Sequence, residues 1–574
     1  MKLRLKPPRR ALRGSSASLA IGVTALALVL AVVRVPRAQD APMLSAMADE
    51  LGRSMQSLRL TDQPAPYFIE YEVEERVSTR VTARLGALVE DLTGRGRTLR
   101  VGVRVGDYAF DSSLFVAPVG GGIIPLQADG STSAPLDDDY DAMRRQIWLA
   151  TDVAYRRAVS LFARKKAAFE NRAAGDGLPD FSRETPVETL LSAPRAALVD
   201  RGWPERVTQI SASFANARGI ENSEVSIAET RGTRYYLNSE GFKAVSPIEV
   251  ASLRVSAEAQ AADGMALWDA FTLVERRLRD LPPVGDIAAR ARQLAEQLAS
   301  RRSAPIGEEY AGPILVEGQA SAELVRQALI PAMLARRPPE STGRGGRGGI
   351  GQATPFLRRI GLRVLSDPFS VIDTPSLLEF EGRPVPGAYV VDDDGVRAKD
   401  VTLVEKGRLV TLLAGRAPLK GLPQSSGHTR GGDVQPGVFQ VQSANAIPAA
   451  ELRQTYLDLL KTQDKPFGYI VRALASPGDA PGGPGTGPLI LQAVRVTRDG
   501  REEAVRGVRL GGVAPAAFRD LLDASRERTL YSIRTTNTEA VSLIVPNLIF
   551  EDLEIQLARE ITQKPPVVPS PLGD

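Results

Sequence analysis

Residues 389–416 have the sequence YVVDDDGVRAKDVTLVEKGRLVTLLAGR, and this stretch decides the fold. The run Asp392–Gly395 places three acids before a glycine, which predicts a turn. Two strand-like runs, Val401–Glu405 and Arg408–Leu413, flank Lys406-Gly407, and this spacing predicts a hairpin. A turn and a hairpin in close succession indicate a mostly antiparallel sheet.

The residues around this stretch continue the pattern of short strands with a few helices. In chain order we expect a strand at Pro313–Glu317, a helix at Ala322–Ala335, a helix at Ala449–Thr462, strands at 470–474 and 489–497, and a helix at Ala514–Ser525. The first of these helices contains Pro331, and the polar segment Ser303–Ala311 precedes the whole group.

The residues before Ser303 have longer periodic segments. They predict strands at Tyr67–Val77 and Arg97–Val105 and helices at Asp137–Asn171, Ala266–Leu281 and Ile287–Arg302. We therefore expect an α+β protein. An N-terminal α/β domain with an antiparallel sheet and long helices would occupy residues 42–302. A mostly antiparallel, β-rich domain would occupy residues 303–562, with a disordered tail at 563–574.

The first 41 residues are typical of an export leader. Met1–Arg13 holds six basic residues, and the apolar run Leu19–Val33 follows. Fifteen apolar residues suit a signal peptide and fall short of the ~20 that a membrane-spanning helix needs. An uncleaved N-terminal anchor is the alternative, because Arg34 and Arg37 flank the run. Both interpretations place the rest of the chain outside the cytoplasm, in the periplasm or secreted.

Composition excludes several classes of function. The chain has no cysteine and one histidine, His428, so thiolate zinc sites, iron–sulfur clusters and HExxH chemistry within one chain are excluded. Eight of the 72 Lys and Arg residues lie in the acid-free segment 1–39, and the remaining 64 are outnumbered by 68 acids. The chain beyond the leader is therefore mildly acidic, which argues against a general nucleic-acid binder.

The loop Leu422–Gly432, LPQSSGHTRGG, concentrates reactive residue types. His428 lies two or three residues from Ser426 and Ser425, whereas members of a catalytic triad normally converge from separate segments. We therefore interpret this glycine-rich loop as one that packs or binds the backbone of a substrate.

Three segments of the second half resemble the TldD/PmbA family: Pro313–Pro331, Tyr389–Arg416 and Ser425–Gly432. Arg97–Asp107 and Asn238–Gly241 are similar to the N-terminal domain of that family, so that the resemblance spans residues 45–560. It implies metallopeptidase-like processing of peptides. The zinc-bearing branch has an HExxxH motif on the helix after the first strand of its C-terminal domain.

The chain departs from that motif. Arg326 and Pro331 stand at the two histidine positions, and Gln327 stands at the glutamate. His428 falls where the family loop has asparagine. A neutral amide cannot act as the general base for a zinc-bound water. The chain thus resembles the PmbA-like branch, which lacks the motif and pairs with the zinc subunit around a closed chamber, and we expect no bound metal or cofactor.

The resemblance implies a non-catalytic subunit that binds peptide and forms a homodimer, or a heterodimer with an HExxxH-bearing TldD-like paralogue. Candidate peptide contacts are Arg326, Ser425, Ser426, Gly427, His428 and Arg430. Two alternatives stay open: an active peptidase with oxygen ligands for its metal, and an envelope protein without enzymatic activity. We expect no nucleic-acid partner, and a membrane contact only through an uncleaved leader.

Overall fold

A computed structural model describes residues 42–116, 131–170, 177–191, 201–341, 354–477 and 487–558. The predicted leader and the predicted tail lie outside the described residues. The helices are α1 (Pro42–Ser57), α2 (Tyr140–Phe169), α3 (Trp203–Ser211), α4 (Val284–Arg301), α5 (Gly318–Leu324) and α6 (Ala449–Thr462). None of these helices is both long and apolar enough to cross a membrane.

The first half of the protein, residues 42–301, is built on a seven-stranded sheet in the order β4-β2-β1-β6-β7-β5, with β8 also paired to β7. All pairs are antiparallel except β5 with β7. The strands of this half are β1 (Pro66–Arg84), β2 (Ala87–Val105), β3 (Phe115–Val116), β4 (Thr132–Ser133), β5 (Glu188–Leu190), β6 (Asn222–Asn238), β7 (Lys243–Gln260) and β8 (Ala266–Glu275).

Strand β1 shows why this sheet has two different faces. Five of its odd-numbered residues, Ile69, Tyr71, Val73, Val81 and Ala83, are buried and belong to the apolar clusters that include residues of α1 to α4. Its even-numbered residues from Glu70 to Arg84 are all polar or charged. Successive side chains of a strand point to opposite faces, so the helices cover one face and leave the other polar.

The second half, residues 310–558, contains an eleven-stranded sheet. Its order is β16-β15-β12-β20-β26-β9-β21-β22-β23, with β24 and β25 also paired to β26. The strands of this half are β9 (Tyr310–Val316), β10 (Leu334–Ala335), β11 (Glu340–Ser341), β12 (Phe369–Asp373), β13 (Glu379–Phe380), β14 (Arg383–Pro384), β15 (Val401–Glu405), β16 (Arg408–Leu409), β17 (Leu413–Ala414), β18 (Thr429–Arg430), β19 (Asp433–Val434), β20 (Val438–Ser443), β21 (Phe467–Leu474), β22 (Ile490–Thr497), β23 (Glu502–Val505), β24 (Val508–Leu510), β25 (Leu521–Arg534) and β26 (Ala540–Leu557).

The predicted fold class is confirmed: a first region with an antiparallel sheet and long helices precedes a β-rich region. Helix α6 has the predicted bounds, and β15 and β16 form the predicted hairpin. Two predicted helices are wrong. Residues 266–275 form strand β8, and residues 521–534 form strand β25 after a single 3-10 segment at Pro515–Asp520.

The predicted helix at Ala322–Ala335 is interrupted. Helix α5 ends at Leu324, a wider π-helical turn spans Val325–Leu329, and a 3-10 segment spans Ile330–Met333. Pro331 has no N–H to donate to the carbonyl of Gln327, and its ring excludes a regular α-helical turn. This irregular segment carries Arg326 and lies where the second half faces the first.

Candidate functional site

A cavity of about 790 Å³ lies between the two halves. Its floor is the polar face of the first sheet. Five neighbouring strands supply the floor residues: Arg80, Thr82 and Arg84 from β1, Val89 and Glu90 from β2, Glu224, Ser226 and Ala228 from β6, Ser252 and Arg254 from β7, and Thr272 from β8. The roof comes from the second half and consists of Arg326, Ser476, Pro477 and residues 531–534 of β25.

The pairing register explains how the floor residues meet. Thr82 of β1 lies opposite Ser226 of β6, Ser226 lies opposite Arg254 of β7, and Arg254 lies opposite Thr272 of β8. Residues directly opposite one another in antiparallel strands share a face. The floor is therefore lined by small hydroxyl side chains, with arginine side chains between them.

Glu323 lies behind the roof residues and has no exposed surface. Its carboxylate accepts hydrogen bonds from Nε of Arg326 at 2.8 Å and from Nε2 of Gln327 at 3.0 Å. It also accepts from Oγ of Ser476 at 2.6 Å and from the hydroxyl of Tyr531 at 2.7 Å. Burial, together with the charge of this carboxylate, raises the pKa of Tyr531 well above its usual value, so the phenol stays protonated as a donor.

The window that aligns with the HExxxH motif lies in this roof. Arg326 lines the cavity, and its guanidinium is also ion-paired with Glu323 at 2.7 Å. Gln327 donates its amide to Glu323 and, at 2.9 Å, to the carbonyl of Ala475. Zinc binds imidazole, thiolate and carboxylate groups, whereas these positions offer a guanidinium, an amide and a proline ring. The side chains of the window therefore do not fit a zinc ion.

In the part of the chain that the structure describes, no group of three or more Asp, Glu or His side chains is placed to hold a metal ion. His428 is completely buried, and both ring nitrogens are engaged. Nε2 lies 2.8 Å from Oδ2 of Asp373, and Nδ1 lies 2.9 Å from Oγ of Ser426. The histidine thus joins strand β12 to the loop that carries it.

The other loop residues predicted to touch peptide are held by the protein itself. Ser425 is buried, and its N–H donates to Glu184 of the first half at 2.7 Å. The hydroxyl of Ser426 donates to the carbonyl of Ala414 at 3.0 Å. Gly427 has a φ of +76°, and a Cβ there would lie 2.4 Å from the carbonyl oxygen of Arg397, so only glycine fits.

Arg430 completes this loop. Its guanidinium donates to the carbonyl of Ala540 at 2.9 Å and lies 4.4 Å from the ring centroid of Tyr389. The structure thus gathers Ser425, Ser426, Gly427, His428 and Arg430 into one packed loop. Of the six predicted peptide contacts, only Arg326 lines the cavity. Peptide contact by the loop residues stays a prediction.

The acidic turn Asp392–Gly395 fixes this loop to both halves. Asp392 accepts the N–H of Thr429 at 3.0 Å, and Asp393 accepts the N–H of Gly431 at 2.6 Å. Asp393 also binds the guanidinium of Arg234, which projects from β6 of the first half. Burial raises the pKa of Asp393 to about 6, although the charge of Arg234 opposes the rise.

Sequence reasoning missed most of the cavity. Glu323 and Tyr531 are 208 residues apart, and nothing in either segment signals that they meet. One signal was present: Arg80, Thr82 and Arg84 alternate along a strand, which places them on one face. The arginines of the cavity come from four separate segments, so no local charge run marks them.

Residues 309–557 match the family described as PmbA/TldA metallopeptidase C-terminal domain. None of the curated proteins matches the chain. A candidate modulator of DNA gyrase from Thermotoga maritima has 14% identity and a TM-score of 0.56, over 85% of this chain and 96% of that chain. TldE from Thermococcus kodakarensis has 14% identity and a TM-score of 0.53, over 89% and 99%. A candidate modulator of DNA gyrase from Bacteroides thetaiotaomicron has 12% identity and a TM-score of 0.55, over 89% and 98%. At this level of sequence identity, the similarity to these structures shows the fold alone.

Proposed function

We propose that this chain, which belongs to the TldD/PmbA family through its domain at residues 309–557, is an exported, non-catalytic subunit that binds peptide for processing by a partner. The observation that carries this proposal is the chemistry of residues 326–331. At the wall of the cavity, these positions present an arginine paired with a buried glutamate. Metal ligands would be needed at the same positions for peptide hydrolysis.

The composition of the chain supports the same proposal. A zinc site normally takes three or four nitrogen, sulfur or carboxylate ligands. The chain has no cysteine, and its single histidine is bound to Asp373 in the core of the second half. The hydrolytic centre would therefore belong to a partner, an HExxxH-bearing relative that shares the peptide chamber. A homodimer that only holds peptides is the second arrangement we consider.

The cavity suits an extended peptide. Its volume of about 790 Å³ lies in the usual range for ligand sites. Strand β25 pairs with β26 and supplies residues 531–534 to the roof. A strand at the side of a cavity can bind an extended chain through its unpaired backbone groups. The leader predicted at residues 1–41 would place this activity in the periplasm or outside the cell.

The test is to purify the full chain from its native host and to measure its metal content by elemental mass spectrometry. Co-purifying chains are identified in the same preparation, and the cell fraction is recorded. We expect no stoichiometric metal on this chain and an HExxxH-bearing relative in the preparation. Stoichiometric zinc in a preparation that holds only this chain would overturn the non-catalytic assignment and favour oxygen ligands. A metal-free chain without a partner would favour an envelope-binding protein.

A further inference from the structure

We infer that the cavity selects acidic peptides, with arginines of both halves binding the carboxylates of the ligand. This inference deepens the proposed function and rests on it, because it names the class of peptide that the cavity would take. Five arginines line the cavity, namely Arg80, Arg84, Arg254, Arg326 and Arg534, whereas Glu90 and Glu224 are the only acids among the described residues of its lining.

Arg534 is the most informative of these cations. It is half-buried at the end of β25, and every acceptor that the structure gives it is neutral. The guanidinium donates to the carbonyls of Ala228, Thr536 and Asn537 and to the hydroxyl of Thr230, at distances of 2.9–3.2 Å. These bonds fix its orientation but leave its charge uncompensated.

Arg80 adds a second cation at the same place. Burial and the nearby charge of Arg80 lower the pKa of Arg534, which indicates that the two guanidinium groups repel each other across the cavity. Among the described residues, Arg80 has no carboxylate within 4.0 Å, and its side chain is exposed to the cavity. Two such cations, one from each half, form a site that an anion would stabilise.

Two of the other three arginines are paired with acids. Arg84 is paired with Glu224 at 2.7 Å, and Arg326 is paired with Glu323 at the same distance. The anion site is therefore centred on Arg80 and Arg534 rather than spread over the whole cavity. The hydroxyl groups of Ser226 and Thr272 lie on the floor beside it and can donate hydrogen bonds to an anion.

A carboxylate fits this arrangement better than a point-like anion. The planar guanidinium offers parallel N–H groups that match the two oxygens of a carboxylate. An extended peptide places alternate side chains on one face about 7 Å apart, so a segment with acids at alternate positions can present several carboxylates to the floor. The proposed peptide-binding role favours a peptide over other polyanions.

The experiment measures binding by fluorescence anisotropy with the full chain. The probe is a labelled peptide in which glutamate and alanine alternate, and its counterpart of equal length has glutamine for glutamate. A single-stranded oligonucleotide of the same net charge is the third ligand. The variants are Arg80→Gln and Arg534→Gln, and Arg279→Gln is the matched control, because Arg279 is 73% exposed and does not line the cavity.

We expect the glutamate peptide to bind at least ~10-fold more tightly than the glutamine peptide, since each charge-assisted contact contributes roughly a factor of ten. Arg80→Gln and Arg534→Gln each weaken the glutamate peptide about 5- to 20-fold and leave the glutamine peptide unchanged. Arg279→Gln changes neither. Arg80→Gln keeps the test valid if the Arg534 variant does not fold, because the side chain of Arg80 makes no hydrogen bond to the described residues and its backbone pairing is unaffected by the substitution.

The contrary outcomes separate the two proposals. Equal affinity for both peptides overturns selection for acids and leaves peptide binding intact. No binding of either peptide overturns both this inference and the proposed function. Tighter binding of the oligonucleotide than of the glutamate peptide overturns the assignment to peptides.

Discussion

Glu323 has no exposed surface, and four side chains donate hydrogen bonds to it. In Glu323→Gln the amide adds two donors among existing donors and leaves Arg326 without its counter-charge. We expect the free energy of unfolding in urea to fall by about 2–4 kcal/mol. Glu503→Gln is the control, since that glutamate is 49% exposed beside Arg495, and it should cost at most about 0.5 kcal/mol. Equal stability of both variants would contradict this account of the roof.

The burial of His428 and its bond to Asp373 favour a role in stability over the peptide contact predicted from the sequence. His428→Ala removes a fully buried ring and leaves the carboxylate of Asp373 without that partner. We expect the free energy of unfolding to fall by about 3 kcal/mol, with the affinity for peptide unchanged. Arg80→Gln should instead keep the free energy of unfolding of the parent and lose affinity for the peptide. A His428→Ala protein that keeps its stability and loses peptide affinity would assign the loop to the binding surface.

Asp393 gives the stability of the protein a specific pH dependence. Its pKa is about 6 in the folded protein because of burial, against ~3.9 in the unfolded chain. Between these values the folded state holds a proton that the unfolded state has lost, so this group makes stability fall as pH rises from about 4 to about 6. Asp393→Asn cannot titrate. The stability of the parent relative to this variant should therefore fall by about 2 kcal/mol between pH 4.5 and pH 7.

The groups around Asp393 define what else can contribute to that difference. Arg234, Arg100 and Arg430 lower its pKa, and Glu539 raises it. Urea unfolding of both proteins at each pH isolates the contribution of Asp393, since the other groups are common to both. A difference in stability that does not change with pH would show that Asp393 is ionised throughout this range.

The pairing of strands β1 and β6 in the first sheet depends on one position where their backbones approach each other closely. At Gly232 of β6, a Cβ would lie 1.8 Å from the carbonyl oxygen of Glu75 in β1. Gly232→Ala therefore forces the two strands apart, and we expect a loss of at least about 2 kcal/mol in the free energy of unfolding. Gly94→Ala in β2 is the matched control, because nothing lies within 4 Å of its Cβ position. Similar stability of both variants would contradict the register of β1 with β6.

Local patterns predicted some elements and failed on others for identifiable reasons. The α6 segment is amphipathic with no competing partner strand, and its helix has the predicted bounds. Residues 266–281 have helix-forming composition, but β8 pairs with β7 along its whole length, from Ala266 with Gln260 to Glu275 with Ala251. Tertiary pairing overrides a weak propensity. The dipeptide Asp263-Gly264, where glycine has a φ of +88°, was a hairpin signal before this strand.

The candidate site was predicted less completely than the fold. The window at Arg326 and Gln327 was found because a motif has fixed spacing along one helix. Its partner Glu323 lies one turn earlier and outside the motif, and the opposite wall comes from residues more than 50 positions away, of which Thr272 is the nearest in sequence. A site that combines residues from distant strands cannot be recognised from a short window of sequence.

At the scale of the whole molecule, arginines hold the two halves together. Arg234 of β6 reaches Asp393 and Glu539 of the second half. Arg416 of the second half donates to Glu240 at 2.9 Å and lies 3.8 Å from the ring centroid of Phe181 in the first half. The cavity has walls from both halves, so its shape depends on these contacts.

The double variant Arg234→Gln/Arg416→Gln tests this dependence. It leaves the carboxylates of Asp393, Glu539 and Glu240 at the junction without these cations, and each lost partner should cost about 3 kcal/mol. We expect one calorimetric transition in the parent to separate into two, and peptide affinity to fall although no residue of the cavity lining has changed.

The matched control is Arg279→Gln/Arg501→Gln, which removes two exposed arginines and the same net charge. It should keep the single transition and the affinity of the parent, because exposed ion pairs contribute little. A double variant at Arg234 and Arg416 that unfolds in one transition with the affinity of the parent would show that apolar contacts alone join the halves. Loss of affinity with separated transitions would instead make docking of the halves the condition for binding, since each half alone supplies only one wall.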